Sequence, residues 1–222
     1  GMGCVADFSA LGAGQTVTIT NYTPMGAILF SDAADAVWTL AGNTMGFANS
    51  PLHPAESLGE ICVEGGTLNL PVSIAGAGNG LAKTGPGTLR FSTTHTYTGN
   101  TRLDGGTLAL TNGAVLQRSS VIFNATNAVL TLEGDASIGG VESLVSPEPG
   151  IALNGHTLRI GGAGTTMWGG RLTGDGALTA VRGGVQTLTA RQSYAGVTRL
   201  ENGSLRLGKS VGFCSPMRVR SI

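Results

Sequence analysis

The sequence predicts an all-β fold: a single-stranded, right-handed parallel β-helix (solenoid) of about ten coils. Three observations predict it. The first is period two. Short apolar–polar–apolar segments recur at 17–19, 28–30, 37–40, 61–63, 68–70, 89–91, 108–110, 121–123, 129–132, 151–153, 158–160 and 205–207, and such alternation marks strands. The second is spacing. Prominent segments start at Leu68, Leu89, Leu108, Leu130 and Ile151, about twenty residues apart. A two-residue hairpin would return sooner, and a βαβ unit would need a helix that no window supports. Three short strands with three turns consume roughly 20–22 residues and stack ~4.8 Å from the next coil, so the chain would form a rod of about 45–50 Å. The third is self-similarity. Residues 80–110 return as 177–207, with Tyr97, Gly99, Thr101, Arg102 and Leu103 meeting Tyr194, Gly196, Thr198, Arg199 and Leu200. A match at fixed offset is the mark of a repeat architecture.

Composition agrees. The 222 residues include 37 glycines, only 12% are charged, and 41% are hydrophobic. That apolar content argues against disorder. The Gly, Thr, Ser and Asn content suits short strands joined by tight turns. Formal net charge is zero, yet the charges are unevenly spread. Asp7, Asp32, Asp35, Glu56, Glu60 and Glu64 precede the first cation, Lys83. The rest of the chain is net basic, a dipole that could favour end-to-end stacking or turn a basic face toward an anionic glycan. Cys4, Cys62 and Cys214 are odd in number and show no CxxC, so neither a zinc site nor a disulfide framework is indicated. No apolar run approaches the ~18 residues of a membrane span.

Taken in order, residues 1–15 form an irregular start. Residues 16–110 and 111–207 form two tandem units, so that 1–222 reads as one β-helix domain with a second irregular end at 208–222. Segment 127–134 copies 35–42, and 151–160 copies 61–70. The stretch 43–58, with two prolines and His53, reads as a loop projecting from the rod. The tail 212–220 reads as a truncated third unit or a cap. Inward aliphatics stack into one continuous core, and no coil is stable alone.

The segment GLAKTGPGTLRFSTTHTYTGNTRLDGGTLAL resembles the passenger-associated transport repeat, also called the autotransporter-associated β-strand repeat. Gly80, Leu81, Lys83, Thr84, Gly85, Gly87, Thr88, Leu89, Ser92, Thr96, Tyr97, Gly99, Thr101, Gly106, Thr107 and Leu108 occupy its pattern. The second copy is degenerate, with Ala180-Val181 in place of Lys83-Thr84. The resemblance spans about 16–208. It implies a β-helical passenger of a large bacterial surface or secreted protein, standing outside the outer membrane, and a structural role for the repeat. The residues expected to carry that role are Gly80, Leu81, Thr88, Leu89, Tyr97, Gly99, Leu103, Gly106, Leu108, Tyr194, Gly196, Leu200, Gly203 and Leu205. No translocator barrel and no catalytic domain is recognisable, so the expectation is a passenger segment or a short secreted relative.

Candidate chemistry was weighed residue by residue. The stretch 77–84 approaches a phosphate-binding loop, but Ala77 and Ala82 stand where glycines are required. Gly174-Asp175-Gly176 resembles a calcium-binding turn, but its aspartate does not recur at nine residues. His53, His95 and His156 are scattered and read as surface or turn histidines. Carboxylates offer the best enzymatic clue, since glycosidases use two roughly 5–10 Å apart. Asp32 with Asp35 and Glu56 with Glu60 sit in loop-like stretches, and Asp104 and Glu201 lie about five coils apart. Arg102 with Asp104 and Arg199 with Glu201 read as outward salt bridges. Trp38 reads as core, and Trp168 is open between core and surface. The leading expectation is therefore a non-enzymatic adhesin or display segment, with no catalytic residue, cofactor or metal. The alternative is a β-helix that binds or cleaves glycans, which a two-carboxylate cleft lined by Trp168 or Tyr97 would favour. Expected partners are host or environmental glycans, other surface proteins, or a second copy end to end. Nucleic acid and membrane insertion are not expected.

Overall fold

The computed structural model describes residues 3–208 apart from 13, 22, 23, 32–34, 53, 54, 77 and 112. Among the described residues there is no helix, and the strands pair in parallel. They form three walls of a solenoid, confirming the parallel β-helix. Wall one is a nine-stranded sheet running from Thr16–Ile19 through Val37–Gly42, Thr67–Leu70, Thr88–Phe91, Thr107–Thr111, Val129–Glu133, Ile151–Ala152 and Leu172–Gly174 to Ser193–Tyr194. One strand per coil gives nine coils. The shortfall from ten has a local cause: the coil beginning at Val37 takes 30 residues to reach Thr67.

Walls two and three share one larger sheet, because three long strands run round the corner between them. Pro24–Phe30 pairs with Met45–Phe47 through its first residues and with Leu58–Val63 through its last. Val115–Phe123 and Ala136–Ser143 do the same, with the pairing shifting register between Leu116 and Ser120. Wall two continues through Thr157–Ile160, Ala177–Ala180 and Thr198–Leu200. Wall three contains Gly80–Thr84 and Thr101–Leu103, and ends in a separate three-stranded sheet of Thr165–Trp168, Val185–Leu188 and Ser204–Leu207.

The core follows from the register. Trp38, Leu68, Leu89, Leu108, Leu130, Ile151 and Leu172 stack in one inward column, all buried. Each such side chain contributes about 1.5–3 kcal/mol by leaving water, but only because the coils above and below cover it. The alternating residues face out: Arg90 of wall one makes a bidentate contact to Glu133, two coils on, at 2.7 and 3.0 Å. Half-exposed pairs of this kind are worth at most about 1 kcal/mol.

The two sequence copies do not sit on the same walls. Gly80–Thr84 lies on wall three, between Leu58–Val63 and Thr101–Leu103. Its counterpart Ala177–Ala180 lies on wall two, between Thr157–Ile160 and Thr198–Leu200. From one to the other the chain makes four coils and crosses two further walls, so the second copy is turned by one wall. Equivalent outward residues therefore face different directions.

The stretch 43–58 also differs from expectation. Met45–Phe47 is a buried strand of wall two, and other described residues of the stretch are tied to their neighbours. Ser50 N–H donates to Leu58 O at 2.6 Å, Asn79 Nδ2 donates to Phe47 O at 2.6 Å, and Arg102 pairs with Glu56. The alternation Met45-Gly46-Phe47 is too short to be read as a strand by itself. His53 and the tail 212–220 lie outside the described residues.

Candidate functional site: a groove flanked by arginines

A cleft with a volume of about 460 Å³ lies on the corner between walls two and three. Glycines and alanine (Gly139, Gly161, Gly162, Ala163, Gly164) form much of its lining, with hydroxyls from Thr98, Ser120 and Thr166. Its charged residues are Arg118 and Arg182; no carboxylate lines it. These residues come from the same turn of five successive coils. At ~4.8 Å per coil the groove runs about 19 Å along the rod.

Its origin is a break in wall three. Ala136–Ser143 and Thr165–Trp168 are neighbours but belong to different sheets. At the break, the buried Gln186 side chain reaches past Thr166. Its Oε1 accepts from Val141 N–H at 3.0 Å and from Thr166 Oγ1 at 2.6 Å, and its Nε2 donates to Val141 O at 3.2 Å. One amide thus satisfies both backbone groups of Val141, which would otherwise be buried without partners at a cost of about 1–3 kcal/mol each. Gly140 is required here: a Cβ on it would lie 2.7 Å from the Thr166 side chain.

Both arginines are exposed, and neither makes an ion pair or side-chain hydrogen bond among the described residues. Arg182 also has φ 64°. A long side chain in this left-handed region carries strain of order 1–3 kcal/mol. Arg118 and Arg182 were not singled out in the sequence, where they look like ordinary surface arginines. Only the stacking of coils places them in one groove.

The repeat residues build devices inside the rod. Leu81, Leu89, Leu103 and Leu108 are core, Thr88 stacks between Thr67 and Thr107, and Leu200 and Leu205 are half-buried near the last coil. Tyr97 is buried, and its hydroxyl lies 2.5 Å from Thr101 Oγ1, which in turn meets Ser119 Oγ at 2.7 Å. Burial pushes its phenol up to about 12. The second copy repeats the brace between Tyr194 and Thr198. We expect Tyr97→Phe and Tyr194→Phe each to lower stability by about 1 kcal/mol, read as a lower urea midpoint at unchanged slope. Gly80 and Gly99 allow two backbones to touch, since a Cβ on Gly99 would lie 2.3 Å from Gly80 N. Gly196 and Gly203 are similarly crowded by the coil below, and Gly106 combines crowding with φ 63°.

Lys83, which gave the stretch its likeness to a phosphate loop, points into the core between Ile61 and Leu103. Its ammonium donates to the carbonyls of Thr84, Gly85 and Gly105 at 2.7, 2.8 and 3.2 Å. Burial pushes its pKa down to about 8, so it remains charged at neutral pH. With three donors engaged inside the rod, it cannot serve an external phosphate.

His95 is not a surface histidine. It is buried, its ring tilted against that of Phe91 with centroids 4.1 Å apart, and its Nδ1 accepts from Ile74 N–H at 3.1 Å. Period-two reading missed it because it lies in a short stretch outside the named strands, beside the lone parallel bridge of Thr94 with Val115. His156 is half-buried. Trp38 and Trp168 are both buried and pack on Phe30 and Phe123, so neither offers a sugar platform, and nor does Tyr97.

No carboxylate lines the groove, and Glu56 and Asp104, which meet on Arg102, are both engaged in ion pairs with it. Glu56 is exposed and pairs with Arg102, whereas Glu60 is buried, accepting from Ser50 and from Thr84 Oγ1 at 2.7 Å. Asp104 holds Arg102 at 2.8 Å, as the sequence pattern suggested. Glu201 instead takes Arg159 at 2.9 Å, two coils back. Asp104 and Glu201 lie at different corners. A smaller cleft at Gly65, Gly66 and Gly87 has a single carboxylate, Glu64. Asp32 and Ala77 lie outside the described residues. Among the described residues no three His, Cys, Asp or Glu gather as a metal site, and Asp175 is exposed. Cys4 and Cys62 are free thiols, and burial pushes Cys62 up to about 11; Cys214 lies outside the described residues.

A solenoid of short parallel strands, braced by two Tyr–Thr pairs and close glycine contacts, is a parallel β-helix of the repeat-protein class. The family profile described as passenger-associated-transport-repeat matches residues 81–110 and again 183–207. The adhesin BmaC autotransporter of Brucella suis biovar 1 (strain 1330) is 35% identical over 144 residues, which is 63% of this chain and 4% of the relative. Residues 81–110 and 183–207 thus carry the autotransporter passenger repeat. The chain spans a small fraction of that relative's length. No solved structure matches it.

Proposed function

We propose that the chain is a non-enzymatic, extracellular passenger segment that acts as a stalk and adhesive display surface of a bacterial surface or secreted protein. It reads as one β-helical domain of two tandem units, and the repeat residues from Gly80 to Leu108 and from Tyr194 to Leu205 serve as its framework. The observation that carries this reading is the use made of its polar residues. Lys83, Tyr97, Thr101, His95 and Gln186, residue types able to serve chemistry, are engaged inside the rod in hydrogen bonds within and between coils. The similarity to an adhesin autotransporter supports the adhesive part.

The test is to display the chain on bacteria through a heterologous translocator barrel and to measure protease resistance and attachment to host cells and to glycan-coated surfaces. We expect a protease-resistant rod that raises attachment over cells displaying the barrel alone. No gain in attachment, or release of reducing ends from polysaccharides by the purified chain, would sink the proposal.

A further inference from the structure

We propose that the groove on the corner between walls two and three binds an acidic polysaccharide laid along the rod axis, with Arg118 and Arg182 holding its anionic groups. This rests on the reading of the chain as an adhesive passenger and names what one of its surfaces would hold.

Four observations carry it. The groove is long, following five successive coils, so it fits a linear polymer better than a compact ion. Its two charges are both positive, and neither is neutralised by an acid among the described residues. Guanidinium groups present planar paired donors that match carboxylate and sulfate oxygens. Its floor is largely free of side chains: at Gly139, Gly161, Gly162 and Gly164 only backbone separates a ligand from the coil, and Thr98 and Ser120 supply hydroxyls at its edges. Finally, Arg182 holds φ 64° beside Gly183, in a turn where glycine would be free of strain. An arginine retained there has a cost in the fold that an external partner would offset.

Gly164 supplies a selective probe. A Cβ placed on it meets nothing within 4 Å, and its backbone is not left-handed. Gly164→Asp should therefore fold normally while placing a negative charge in the groove.

The experiment is equilibrium binding of the purified chain to heparin, polygalacturonate and neutral dextran at low and high salt. We expect binding to heparin or polygalacturonate, with the preferred polymer showing whether sulfate or carboxylate is recognised, and none to dextran. Arg118→Ser and Arg182→Ser should each weaken it at least about 10-fold, Gly164→Asp should abolish it, and added salt should weaken it through screening. Thermal unfolding of each variant verifies the fold, and the double variant Arg118→Gln/Arg182→Gln repeats the test should either serine variant be unstable. Equal binding to dextran, or full binding by folded arginine variants or by Gly164→Asp, would overturn the proposal. Displayed cells that still adhere with both arginines replaced would reject the groove and leave the passenger reading intact. Loss of attachment by wild-type displayed cells, with polymer binding by the purified chain unchanged, would do the reverse.

Discussion

Lowering the pH from 6.5 toward 4 is expected to destabilise the first repeat by about 3 kcal/mol through His95 alone. Burial holds this imidazole neutral, with its pKa pushed down to about 3 from 6.5. The sign follows from linkage. Between pH 6.5 and 3 the unfolded chain binds a proton on His95 that the folded chain does not, so stability falls as pH falls, at about 1.4 kcal/mol per unit. The reason is geometric: a protonated Nδ1 could no longer accept from Ile74 N–H. The chain itself supplies the matching substitution. At the equivalent place in the second copy stands Gln192, whose Oε1 accepts from Leu172 N–H at 2.8 Å and whose Nε2 donates to Gly170 O and Ala190 O. His95→Gln should therefore keep the acceptor and flatten the acid limb. The measurement is the thermal midpoint of wild type and variant at pH 4 to 7, with amide exchange at Ile74 as a local readout. An unchanged pH slope in His95→Gln would show that another group drives the acid loss.

Replacing Lys83 by methionine should cost about 3–5 kcal/mol. Methionine fills similar volume, so the loss isolates the ammonium. Without it the carbonyls of Thr84, Gly85 and Gly105 lose their donor inside the rod, and each buried acceptor left unsatisfied costs about 1–3 kcal/mol, partly offset because the ammonium no longer has to be buried. The second copy shows how the site can do without a charge. Ala180 stands at the equivalent position with Leu200 above it, and Val181 N–H bonds to Ile160 O. The equivalent strand lies on another wall, under different turns. Urea unfolding at pH 7 followed by tryptophan fluorescence would measure the loss, since Trp38 and Trp168 are both buried. A change below about 1 kcal/mol would mean that the carbonyls find other donors or water.

The alternation from Val17 to Leu207 and the spacing of Leu68, Leu89, Leu108, Leu130 and Ile151 were enough to specify parallel coils. A period-two segment cannot bury one edge unless a neighbour in register covers it, and these segments pair residue for residue as the spacing requires. The match between residues 80–110 and 177–207 was also legible, and so was the outward Arg102–Asp104 pair. His95, Lys83 and Gln186 were not. Each is polar, and alternation alone treats polar residues as outward, whereas their fate depends on which unpaired backbone group lies beside them.

The sequence by itself determined the class of fold, the repeat and the inward column, because these rest on local period and on offsets that a linear chain displays. The tertiary structure decided where the copies face. Two sequence copies 97 residues apart look equivalent on paper, but the number of walls crossed between them depends on turn lengths and on strands such as Val115–Phe123 that run round a corner. That rotation puts Asp104 and Glu201, already five coils apart, at different corners. The stacking of coils brings Arg118, the glycines at 161–164 and Arg182 into one groove, because neighbours in a solenoid are set by the rise of the coil and not by distance along the chain.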